Sequence, residues 1–149
     1  SRSPSLAPSR RNRPKMATPA DIVGRARARL GVRFRPQGRG PLGLDCVGLV
    51  AAAIGANEVP YQYASRQGSL AEVEAELHRA GLNRAAAMAP GAVLVMNAGP
   101  GQLHLGIWTG ASLIHADARL RRIVERPGKP PWRVLGIWRF PSDQPAGED

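Results

Sequence analysis

The sequence predicts an α+β domain, with N-terminal helices packed on a mainly antiparallel sheet of about five strands. Two observations carry this. Apolar residues recur at helical spacing up to residue 81, and from residue 91 they alternate as in strands, with turn residues between the runs. Helices first and strands afterwards is the pattern of segregated layers. The chain also has 149 residues with 43% apolar side chains, enough for one domain with a modest core and no staples.

The elements follow in order. "SRSPSLAPSRRNRPK" (residues 1–15) is rich in Ser, Pro and Arg and reads as a disordered basic extension, with Met16 as the natural start. "TPADIVGRARARL" opens a helix: Thr18 can cap, Pro19 suits the first turn, and Asp21 stands three after the cap. Ile22, Val23, Ala26 and Leu30 fall on one face of it. "GVRFRPQGRGPLGL" is a Gly/Pro loop. "DCVGLVAAAI" reads as a buried helix with Asp45 as N-cap and Gly55 as its stop. "NEVPYQYASRQG" is a loop. "SLAEVEAELHRAG" is the clearest helix, with Ser69 and Glu72 as a capping box, a Leu70–Val73–Leu77 stripe and Gly81 at its end. Strands are expected over 91–98, 102–110, 112–118, 121–127 and 134–140, and residues 142–149 read as a flexible tail. The folded domain is placed at 16–141.

Charge is unevenly spread. Residues 1–39 hold 11 Lys/Arg and one acid, whereas residues 40–149 hold 10 of each. The whole excess of +10 therefore lies in the N-terminal quarter. Such an arm can meet an anionic polymer. No aromatic side chain interleaves with it before Phe34, so a base-stacking platform is not expected, nor specific nucleic-acid binding. No 18-residue apolar run exists, so no membrane partner is expected. The N-terminus lacks the apolar region of a secretory signal.

One cysteine excludes an internal disulfide and a cysteine-rich metal site. Cys46 is then a small core residue or a reactive thiol. Its place at a helix start favours the thiolate, because unpaired N–H groups there carry partial positive charge. Gly48 costs helix stability, roughly 1 kcal/mol against Ala, which suggests close approach by another backbone or a substrate. A thiol nucleophile needs a base, and the base an orienting group. His104 and His115 stand 11 residues apart in adjacent expected strands, with "TGAS" as the turn. His104 shares a face with Gly106, which leaves room beside it. His78 sits on the polar side of its helix and reads as a surface residue.

"LDCVGLV", "LHLGIWTG" and "LIHADA" together resemble the NlpC-type family of cell-wall cysteine peptidases. "FRPQGRGPLGLDCVGLV" is similar, more specifically, to members encoded with phage tails and gene-transfer agents. The resemblance spans roughly residues 18–140. It implies a papain-like fold and hydrolysis of amide bonds in peptidoglycan stem peptides, with no cofactor or metal. It implies Cys46 as nucleophile, His104 as general base and His115 as the polar group that orients His104. Phe34, Asp45 and Gly48 are implied on the substrate side, Asp45 as a cap or a substrate contact. Phe34 stands where many members have tyrosine, and Ala92 where many have aspartate. The implied partners are stem peptides and phage-like tail proteins. The implied place of action is the cell wall, after delivery by a phage-like particle from the cytoplasm. The alternatives are a non-catalytic fold-mate, an acyltransferase on the same fold, and a nucleic-acid binder using the basic arm.

Overall fold

The structure, a computed structural model, describes residues 17–33, 44–55 and 69–141, with Leu44 and Asp45 described by their backbone alone. The expected basic extension, Phe34, the loop at 56–68 and the tail lie outside the described residues.

Local chemistry forms the helices as expected. Helix α1 (Pro19–Arg27) starts at a reciprocal capping box. Asp21 N donates to Thr18 Oγ1 at 3.1 Å, and Thr18 N donates to Asp21 Oδ2 at 3.0 Å. These bonds favour the ionised form, so the Asp21 carboxyl titrates below its ordinary value, the backbone bond from Thr18 contributing most. Helix α2 is Leu44–Ile54, and Gly55 ends it at a φ of 82°. Helix α3 (Leu70–Arg79) repeats the box: Ser69 Oγ accepts from Glu72 N at 3.2 Å, and Glu72 Oε1 accepts from Ser69 N at 3.1 Å.

Two helix boundaries differ from expectation. Asp45 is the second residue of α2 rather than its cap, because the helix already begins at Leu44. Leu30 does not extend the α1 stripe. The helix ends at Arg27, the chain turns through residues 28–31, and Leu30 is exposed.

Among the described residues, six strands form one antiparallel sheet, in the order β1-β6-β2-β3-β4-β5. They are β1 (Asn83–Ala85), β2 (Val93–Gly99), β3 (Gln102–Trp108), β4 (Ser112–Asp117), β5 (Arg122–Pro127) and β6 (Arg133–Arg139). Five match the expected runs. The sixth, β1, is three residues long and exists by pairing with β6, Arg84 opposite Trp138. Strands β2 to β5 form a meander of hairpins, and β6 returns along the free side of β2.

Alternation along the strands separates two apolar clusters. Val93, Val95, Leu105, Ile107, Ile114, Ala116 and Ile123 face the helices, where they meet Ile22 and Ala26 of α1, Val47 and Val50 of α2, and Val73 and Leu77 of α3. Leu94, Met96, Trp108 and Leu113 form the second cluster, on the opposite face, with Met88, Trp132, Val134 and Ile137 against it. The sheet is thus packed on both sides, helices covering one and loop and strand residues the other.

A polar tie links α1 to the far strands. Arg27 donates from Nη2 and Nε to the two oxygens of Glu125 at 2.9 and 3.2 Å, and Ser112 Oγ donates to Glu125 Oε2 at 2.6 Å. The Arg27 guanidinium, then the Ser112 hydroxyl, hold the Glu125 carboxyl below its ordinary pKa.

The space beside Gly106 is filled. A Cβ there would lie 2.7 Å from Leu113 Cδ1, 3.0 Å from Ile114 O and 3.3 Å from Met96 Cε. The glycine serves close packing of β3 on β4, not an opening beside His104. Gly106→Ala is expected to destabilise the domain by about 1–3 kcal/mol through overpacking. A lower urea midpoint with unchanged slope is the expected readout.

Candidate active site

The hairpin joining β3 and β4 brings two imidazoles together. Thr109 N donates to Ser112 O at 2.9 Å, which closes the turn. The register then pairs Trp108 with Leu113 and Gly106 with His115. His104, two residues before Gly106, lies on the same face of the sheet. The result is a ring-to-ring contact between His104 Nε2 and His115 Nδ1 at 3.0 Å. One nitrogen carries the proton and the other accepts it.

A third ring completes the group. Trp132, just before β6, stands edge-on to both imidazoles, its ring centre 4.9 Å from that of His104 and 5.2 Å from that of His115. The two imidazoles are themselves nearly perpendicular, with centres 5.1 Å apart. Sequence reasoning missed Trp132, because no local pattern marks it. Its place depends on a register shift between β2 and β6, where Val95 pairs with Gly136 and Met96 with Val134.

Burial sets the electrostatics. His115 is 3% exposed and His104 is partly buried. Desolvation lowers the His104 pKa from its ordinary 6.5 to about 4; the neighbouring His115 adds to this and Asp117 opposes it. His115 is lowered too, again chiefly by burial, with Arg126 adding; Asp117 and a backbone hydrogen bond at Ala116 oppose. Both rings are therefore neutral near pH 7, which suits one donating to the other. With Nε2 of His104 engaged by His115, Nδ1 is its remaining ring nitrogen.

Cys46 is the third residue of α2 and 2% exposed. It belongs to the helix-side cluster with Leu105, and Leu103 packs on that cluster. These are the two neighbours of His104 along β3, so the helix that carries the thiol packs on the strand that carries His104. Alternation directs His104 to the opposite face from Leu103 and Leu105. The structure thus joins His104 to His115 and packs Cys46 among the helix-side residues that flank His104 along β3.

The remaining expected site residues are placed as follows. Gly48 is exposed in α2, and a Cβ on it would meet no described atom within 4 Å, so among the described residues nothing closes on it. Asp45 is placed by its backbone, in the first turn of α2. Phe34 lies outside the described residues. Ala92 is fully buried and bonds as a strand partner, its carbonyl accepting from Trp108 N at 2.9 Å. His78 is exposed near the end of α3. Among the described residues no group of three or more His, Cys, Asp or Glu side chains could hold a metal ion, and no helix is long and apolar enough to cross a membrane.

Two predictions follow from the buried rings. The folded pKa of His104 lies below its unfolded value, so the unfolded chain takes up the proton first. Stability should fall as pH drops from about 6.5 to 4 and level off below, by at most roughly 3 kcal/mol from this group. Urea unfolding at a series of pH values should show that slope, and His104→Gln should flatten it. Trp132→Ala should admit water to the rings and move the His104 titration up toward 6.5, read by NMR of the imidazole protons.

No family model matches this chain, and no curated protein matches it.

Proposed function

We propose that this chain is a thiol hydrolase of the NlpC type, with a papain-like arrangement, that cleaves amide bonds in the peptide stems of bacterial peptidoglycan. The observation that carries the reading is the 3.0 Å contact between His104 Nε2 and His115 Nδ1. A base whose far nitrogen is held by a second polar ring is the orienting arrangement a thiol nucleophile requires. The chain's sole cysteine, in the first turn of a helix that packs on the strand bearing that base, supports it further.

On this reading His104 Nδ1 takes the proton of Cys46, and the thiolate attacks the stem-peptide carbonyl carbon. Backbone N–H groups at the start of α2 stabilise the oxyanion that forms. The C–N bond then breaks as His104 returns the proton to the leaving amine. Water, deprotonated by His104, attacks the thioester and releases the carboxylate product and the thiol. His115 keeps the imidazole of His104 in the tautomer that leaves Nδ1 open. The rings start neutral, as a general base must. A phage-like tail is the proposed vehicle that carries the protein to the cell wall.

One observation favours a second reading, a catalytically silent fold-mate that assembles tails or binds the wall. Cys46 is almost fully buried in the helix-side cluster, as a core cysteine is.

Purified peptidoglycan, incubated with the full chain, separates the two. The hydrolase should release new amine groups, and product masses should name the bond. Cys46→Ala should lower turnover at least a thousandfold, and His115→Ala by roughly ten- to a hundredfold with the fold intact. No release by either, from folded protein, would favour the silent reading; equal release by both would take Cys46 out of the reaction and overturn the thiol hydrolase.

A further inference from the structure

All three large apolar side chains that stand exposed among the described residues occupy two adjoining segments. Leu30 is 39%, Val32 45% and Leu120 58% exposed. Single exposed apolar residues are ordinary, but here they gather at one edge of the sheet. Residues 31–33 run beside β5, where Gly31 N donates to Ile123 O at 2.9 Å and Ile123 N donates to Val32 O at 3.0 Å. Arg33 forms a bridge with Arg122. Leu120 sits at the tip of the turn from β4 to β5, which Asp117 shapes by accepting from Arg119 N and Leu120 N, both at 2.9 Å.

The same segments carry exposed cations. Arg29, Arg33, Arg119, Arg121 and Arg122 are all exposed, and among the described residues none of them pairs with a carboxylate. The two nearest acids along the chain are engaged: Asp117 holds the turn, and Glu125 holds Arg27. The segments at this edge thus carry three exposed aliphatic side chains and five exposed arginines.

We infer that this edge is a docking surface for an anionic lipid membrane. A soluble polyanion would use the guanidinium groups but gain nothing from Leu30, Val32 and Leu120. A protein partner is usually met by aromatic anchors, and the patch has none. An interface of anionic headgroups over acyl chains uses both components, cations at the headgroups and aliphatic tips below them. The absence of an apolar spanning run in the sequence does not bear on this contact, because a surface contact needs none.

The test is co-sedimentation of the full chain with vesicles of phosphatidylcholine alone or with one third phosphatidylglycerol. Binding to the anionic vesicles should fall about tenfold in Leu120→Glu. It should fall similarly in the Arg119→Gln/Arg121→Gln pair, with circular dichroism unchanged. Leu120→Ala should lie between parent and Leu120→Glu. No binding by the parent would overturn the inference. So would equal binding by parent and Leu120→Glu, which would assign the attraction to the basic N-terminal residues. Retention on polyphosphate that tracks the arginines and ignores Leu120 would point instead to a soluble polyanion.

Discussion

The close lie of β3 on β4 is the constraint on which the rest of the structure depends. Gly106 admits Leu113 Cδ1 to within 2.7 Å of where a side chain would begin. That approach is possible only in the register that the Thr109–Ser112 turn sets, and the register decides that two histidines 11 residues apart meet ring to ring. The same alternation sends Leu105, Ile107 and Ile114 to the helices. A slip of one residue would exchange the two sets, placing imidazoles among aliphatic residues and leucines beside Trp132.

The imidazole pair is held by exclusion of water as much as by its hydrogen bond. Trp132, Met96 and Leu113 surround that side of the sheet, and burial is the leading cause of the lowered pKa at both rings. Two cationic imidazoles could not share this space, because each would lose hydration and repel the other. A neutral pair loses little and gains a bond of full strength in a region of low dielectric.

The sequence made much of this legible wherever the signal is local. Thr18 with Asp21 and Ser69 with Glu72 announced two helices through their own side chains, and five of six strands stood out by alternation between turns. What stayed hidden depends on contacts distant in the chain. Strand β1 has no pattern of its own and forms because β6 offers an edge. Trp132 reaches the histidines through a shifted register between strands about 40 residues apart. The glycine beside His104 read as open room, because a sequence shows that a side chain is missing but not which neighbour fills the gap. Leu30 fitted a helical stripe by spacing, yet the helix had already ended.

Strand β2 has a consequence of a different kind. It lies inside the sheet with partners on both sides, and Val93 to Met96 are wholly buried on both faces. No partial opening of an edge or a layer frees those four amides. Their exchange with solvent deuterium is therefore tied to the loss of the whole domain. Residues 31–33, held at the rim by two backbone bonds, can let go while the sheet stands. The molecule thus carries its own internal clock at the centre and a separate, faster one at the rim.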